Sequence, residues 1–355
     1  MTPCSLAPKT LNPNSKRVPC LSLAGSKQWF SILKIPSPFL APLVWVLGVL
    51  CCQAQESVHQ THVMSSKPTP CISQGLECAN AATPWLLKDG TLLLVWTAGG
   101  TVMFAKSLDM GHTFSKTIEL ARHEQFLDTG ADARAQIVAD EEGHVLIAYS
   151  FFKDKQWNAQ INLLSSSDGG ARFSMPSSLI NSDKSERFPS LGVDATGRIY
   201  LAWVDKRWVH LQRSRGVRQL GGSIALSSTL DWGQSFSPMT IIQEESCECC
   251  RIAIDASQGP FTAIAYRALF AKGMRDHAVQ VIRSEPSTLT PLAKKAQRVS
   301  SDLWQTDVCP HQGPAVAVSG LKTIHTVWFT QGQVRQGLFY ARSTDMGEHF
   351  SRPMT

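Results

Sequence analysis

One eight-residue pattern recurs four times in this chain and narrows its fold more than any other feature. It reads Ser/Thr-x-Asp-x-Gly-x-x-Phe, at Ser107–Phe114, Ser166–Phe173, Thr229–Phe236 and Ser343–Phe350. The spacing has a chemical reason. A short Asp carboxylate can accept backbone N–H bonds two residues on, Gly supplies the positive φ of a tight hairpin, and Phe folds back beneath the turn. The aspartates Asp109, Asp168, Asp231 and Asp345 recur at intervals of 59, 63 and 114 residues. The last interval is about two periods, so one copy has lost its pattern; the degenerate turn is expected near Arg283–Ser287.

Within each period the apolar residues mark short strands. One period runs Ala135–Ala139, a turn at Asp140–Gly143, Val145–Tyr149, Ala159–Leu164, then the pattern and Phe173. The next repeats the plan with Ser190–Val193, Asp194–Gly197, Ile199–Trp203 and Ser223–Leu226. Four strands per period describe the blade of a propeller. No helical periodicity occurs in the mature chain, so an all-β fold is expected.

The four turns resemble the Asp-box, or BNR repeat, of sialidase-type β-propellers, and the likeness covers about residues 78–355. It implies four-stranded antiparallel blades. Five are readable here and six are usual in that family, so a C-terminal blade is expected to be missing. The box is a structural staple, and it fixes fold rather than activity.

The first 54 residues read differently. Phe39–Cys52 is an apolar run preceded by Lys9, Lys16, Arg17, Lys27 and Lys34, and no acidic residue occurs before Glu56. With small Ala54 ahead of Gln55, residues 1–54 read as a signal peptide with a long basic n-region. The run is too short for a comfortable span, which needs ~20 residues, so no stable membrane span is expected after cleavage. Residues 55–77 are a linker or a closing strand. The expected location is the periplasm or the extracellular space, and the expected state is a monomer. Removal of the five leader charges takes the formal net charge of +6 to +1, which excludes a nucleic-acid partner on charge grounds.

Strand order sorts the remaining residues by face. Box turns join the third and fourth strands of a blade, so the turns between first and second strands share their face. The opposite face collects Arg134, Arg187, Cys247-Glu248-Cys249-Cys250-Arg251, and Asp307-Val308-Cys309-Pro310-His311 at the starts of blades. In its loops lie Trp157, Lys206–Trp208, Arg213, Arg215, Arg218, Arg267 and Arg275-Asp276-His277. Arg134, Arg187, Arg251, Arg267 and Arg275 are candidates to clamp a carboxylate or glycan, because guanidinium forks match carboxylate geometry. A solvated basic surface is the competing reading.

The mature chain keeps six cysteines, Cys71, Cys78, Cys247, Cys249, Cys250 and Cys309. An even number in an exported protein favours disulfides; Cys71 with Cys78, and Cys309 with one of the three clustered cysteines, are the expected pairs. Alternatively Cys247, Cys249, Cys250, Cys309 and His311 hold copper or zinc.

The resemblance to sialidases implies an Arg triad, a Tyr nucleophile and an acid. The first blade starts Cys78-Ala-Asn-Ala-Ala-Thr-Pro-Trp85, without the family's Arg motif, and Tyr149, Tyr200, Tyr266 and Tyr340 all sit in apolar strands. Two functions stay open. One is glycan binding or exo-sialidase-type glycoside hydrolysis on the face opposite the boxes, with Asp276 or Asp307 as the acid. The other is a non-catalytic exported scaffold propeller with a Cys/His site.

Overall fold

The computed structural model describes residues 75–123, 126–258, 261–283, 292–308 and 310–355. The leader, Cys71, Cys309 and most of the degenerate turn expected near Arg283–Ser287 lie outside the described residues.

Five antiparallel sheets follow one another along the chain. The first is β1 (Ala81–Leu86), β2 (Leu92–Ala98), β3 (Thr101–Ser107) and β4 (Ile118–Arg122). The second is β5 (Gln136–Ala139), β6 (Val145–Phe152), β7 (Ala159–Ser166) and β8 (Ser177–Ser178). The third is β9 (Glu186–Val193), β10 (Ile199–Asp205), β11 (Gly222–Thr229) and β12 (Thr240–Ser246). In the fourth, β13 (Ala253–Asp255), β14 (Thr262–Arg267) and β15 (His277–Arg283) pair in series; both β16 (Leu292–Ala293) and β17 (Gln297–Arg298) pair with β15. The fifth holds β18 (Ala315–Ser319), β19 (Thr323–Gln331) and β20 (Gln336–Ser343), and Met354 bridges Tyr340 at its outer edge.

The first strands of consecutive sheets, β1, β5, β9, β13 and β18, pack in sequence, so the sheets stand side by side as propeller blades. A separate apolar layer fills each space between neighbours. Val95, Phe104 and Ile147 lie between the first two sheets, and Leu146, Leu163 and Trp203 between the second and third. Leu226, Ile224 and Tyr266 lie between the third and fourth, and Val281, Ile324 and Trp328 between the fourth and fifth. Strands covered on both faces carry continuous apolar runs, and every residue of β10 is buried. In the fifth sheet the pattern returns to alternation: Ile324, Trp328 and Ala341 face the fourth sheet, while Val327 and Leu338 are exposed.

The four boxes occupy the turns after β3, β7, β11 and β20, as their spacing predicts. Their hydrogen bonding differs in one respect from the expectation. Asp109 Oδ1 accepts the amide of Thr113, four residues on rather than two, at 2.8 Å, and the Ser107 hydroxyl at 2.6 Å. Ser107 Oγ in turn accepts the Gly111 amide at 2.7 Å. The other three boxes repeat this lattice, with Arg172, Ser235 and His349 as amide donors. Two consecutive residues take positive φ in each, such as Met110 (56°) and Gly111 (95°); Gly stands at the second in all four boxes and at the first only as Gly169. Phe173, Phe236 and Phe350 pack into these layers, Phe114 packs against the cluster of Trp96 and Met103 in the first sheet, and Phe173 meets Phe104 edge-on at 5.0 Å.

Among the described residues one α-helix departs from the expectation of none. Residues Arg207–Ser214 form α1, two turns long, between β10 and β11. It buries only Val209, so there is no apolar stripe to detect in the sequence. Asp205 Oδ1 accepts the Arg207 amide at 2.8 Å at its N-terminus, where a carboxylate complements the helix dipole. Among the described residues no helix is long and apolar enough to cross a membrane.

Candidate functional site

The boxes and the turns between first and second strands share one face, as expected. Gly169 of the second box donates to the Gly143 carbonyl at 2.9 Å, and Met346 of the last donates to Lys322. The charged clusters therefore gather at the other ends of the strands.

There the arginines are held by buried carboxylates that sequence reading did not single out. Arg187, in β9, places Nε and Nη2 on the two oxygens of Asp128, each at 2.7 Å, and its guanidinium lies over Phe152 and Phe188. Arg251 bonds Asp132 at 3.0 Å. Asp128 and Asp132 both lie in the crossing from the first sheet to the second. Their signal in the sequence was an acidic pair in a small-residue loop, Asp128-Thr-Gly-Ala-Asp132-Ala, just before an arginine.

Other candidates are likewise committed to the scaffold. Arg267 is buried, lies over the Trp304 ring at 4.1 Å, and donates to the carbonyls of Arg275, Gln312 and Phe329. Arg134 bonds the Ala131 carbonyl. Five arginines converging on one free carboxylate site is thus not what the geometry provides.

Asp276 needs the same correction. Its carboxylate is buried and takes the amides of Asp302, Leu303 and Trp304 at 3.1–3.2 Å, and Arg298 as well. Four donors converge on it, three from the loop before the fifth sheet and one from Arg298, as befits an anchor of the scaffold. Asp307 is exposed. Tyr149, Tyr200 and Tyr266 are buried, and desolvation raises the phenols of Tyr149 and Tyr266 above their ordinary value, which suits core residues and not nucleophiles.

What does converge is a smaller group. A cavity of about 120 Å³ is lined by Trp157, Ser185, Arg187, Val204, Lys206, Glu248, Cys249 and His311. Trp157 stands on the loop after β6, 56% exposed, with its backbone at φ 63°. Asp154 holds that loop by accepting the amides of Gln156 and Asn158. Lys206 and Glu248 form an ion pair at 2.8 Å on the wall. Two cations, an aromatic face, a carboxylate and an imidazole in one concavity are the makings of a small polar-ligand site.

The cysteines adjoin this cavity through Cys249. Cys247, Cys249 and Cys250 follow β12 in a tight turn, and all three are buried. Sγ of Cys247 lies 3.5 Å from that of Cys249 and 3.6 Å from that of Cys250. Cys247, Cys249 and Cys250 carry thiols, and the expected pairing of one of them with Cys309 falls outside the described residues. Cys78 is disulfide-bonded, as expected for it. Hydrogen bonding from Cys249 and then Cys250 pulls the Cys247 thiol down, and bonding to Cys247 pushes Cys250 up to about 12. His311 shares the cavity wall with Cys249 but does not join the group whose ligand atoms lie within 4.8 Å of one another.

Glu186 is the other residue that the sequence did not mark. It is fully buried beside Arg187 and opposite Asp205, and neither carboxylate oxygen closes a hydrogen bond. Desolvation raises it to about 7.

No protein-family model matches the chain, and no curated protein matches it. Solved structures are similar to it in part. A protein of unknown function from Dyadobacter fermentans is 15% identical, with a TM-score of 0.48, over 72% of this chain and 73% of its own. A Penicillium chrysogenum alpha-L-arabinanase, solved with arabinobiose, is 16% identical over 79% of this chain and 83% of its own, with a TM-score of 0.48. A Hadza microbial sialidase is 15% identical over 74% of this chain and 52% of its own, with a TM-score of 0.45. These likenesses are slight, and the substrates of those proteins are not carried across to this chain.

Proposed function

We propose that this is an exported binding propeller that takes a sugar or sugar acid in the cavity on the face opposite the boxes. The observation that carries the reading is the convergence of Trp157, Arg187, Lys206 and His311 on that one cavity. An exposed indole offers a face for the C–H side of a sugar ring, and the cations offer donors for a carboxylate. Arg187 is preorganised for this by Asp128 and the two phenylalanine rings, so little side-chain freedom is lost on binding.

Glycoside hydrolysis is the second reading, favoured by one observation, the Glu248 carboxylate on the cavity wall. An exo-sialidase would need three arginines around the substrate carboxylate, and Arg187 stands alone among the lining arginines.

A glycan array followed by calorimetry, run beside a fluorogenic sialoside and glycoside panel, tests both. Binding of a sugar or sugar acid that Trp157→Ala abolishes, without turnover, is expected. Turnover that is lost in Glu248→Gln would replace the binding reading with the hydrolytic one. Failure of every glycan and sugar acid to bind or react would overturn both.

A further inference from the structure

We propose that Cys247, Cys249 and Cys250 form a three-thiolate site for one soft metal ion, Cu(I). The site adjoins the sugar cavity through Cys249 and does not rest on the reading of that cavity.

The geometry comes first. Three metal–sulfur bonds of ~2.3 Å in one plane set neighbouring sulfurs ~4.0 Å apart. The measured separations of 3.5 and 3.6 Å, with the third pair inside 4.8 Å, form a triangle that an ion at its centre fits after a shift of a few tenths of an ångström. Three sulfurs within four residues are brought together by the tight turn alone. That turn is anchored at its start, where the Cys247 amide donates to the Arg267 carbonyl at 2.9 Å, and just past its end, where the Arg251 amide donates to Asp132. Such a site is preformed on rigid backbone.

The surroundings suit a charged thiolate cluster. Arg275 Nη1 donates to Cys247 Sγ at 3.5 Å, and Arg267 and Arg251 flank the turn. These cations offset the negative charge left when three thiols lose their protons to the solvent on metal binding. The sulfurs are buried, but Cys249 lines the open cavity, which gives an ion a way in.

The donor set chooses the ion. Soft thiolates select Cu(I), and the three on this turn suffice to hold it.

The test uses the purified full chain, reduced and titrated anaerobically with Cu(I) and, separately, Zn(II). Retained metal is counted after desalting against a Cu(I) chelator, and alkylation of each cysteine is mapped by mass spectrometry. One Cu(I) per chain is expected, with near-ultraviolet thiolate-to-metal absorption and Cys247, Cys249 and Cys250 together protected from alkylation. Cys250→Ser should weaken retention at least a hundredfold, with circular dichroism and melting checked for the fold. Trp157→Ala should leave it unchanged, which separates this site from the sugar reading. Equal alkylation with and without Cu(I), retention of Zn(II) in its place, or a disulfide within the trio of the protein as isolated would overturn the proposal.

Discussion

Asp132 and Gly313 lie 181 residues apart in the chain, and the Gly313 amide donates to the Asp132 carboxylate at 3.1 Å. The same oxygen takes the Arg251 amide at 3.2 Å, and its twin takes Arg251 Nη1. One buried side chain before the second sheet thus clasps the starts of the fourth and fifth. Substitution Asp132→Ala removes three bonds and leaves two amides and a partly buried guanidinium without a partner. A loss of about 3 kcal/mol is expected in urea unfolding, the usual cost of breaking a buried pair on one side. A change below about 0.5 kcal/mol would show that the clasp is not a stabilising contact.

Gly313 is also a steric requirement of that clasp. A Cβ at this position would overlap Cγ and the backbone carbonyl oxygen of Arg251. Gly313→Ala should therefore lower the melting temperature, and its effect should be less than additive with Asp132→Ala because both loosen one junction. Full additivity in the double variant would separate the two effects.

In the boxes the serine is the better target than the aspartate. Ser343 Oγ is buried, donates to Asp345 at 2.7 Å and accepts the Gly347 amide at 2.8 Å, whereas the Asp345 side chain is 42% exposed. Ser343→Ala should cost about 1–2 kcal/mol by stranding the Gly347 amide, while sugar and metal binding stay unchanged. Loss of ligand binding at unchanged melting temperature would contradict a purely structural box.

Glu186 makes stability fall as the pH rises from about 4.5 to 7. Its folded value of about 7 lies above its ordinary 4.5, so the folded chain holds this proton more tightly than the unfolded chain does. Its contribution is complete below about pH 4.5 and is lost as the pH rises through 7. Wild-type stability should fall over that window relative to Glu186→Gln, by up to about 2 kcal/mol after allowance for screening. Parallel pH–stability curves for the two proteins would refute the assignment.

The blade rhythm and the box positions were legible because each depends on residues adjacent in sequence. The register of β6 with β7, from Val145↔Ser166 to Phe152↔Ala159, follows from a hairpin whose strands the apolar pattern marks. The helix α1 was not legible, since its one buried residue, Val209, makes no pattern. Nor was the fate of the arginines. Arg187 reads as an open cation in a sequence, and Asp276 beside Arg275 reads as a candidate acid. Asp128 takes two of the donors of Arg187, and Asp276 anchors the loop before the fifth sheet, through partners distant in sequence.

The sequence by itself determined the β-blades, the four staples and the gathering of Cys247, Cys249 and Cys250 in one turn, because the contacts that make them close within a hairpin or a few residues. Only the tertiary structure decided which charges neutralise one another and which stay open to a ligand. Arg187 meets Asp128 across 59 residues and Arg251 meets Asp132 across 119. Such pairs form when blades stack and exclude water, and at that point a carboxylate must find a donor or lose its charge.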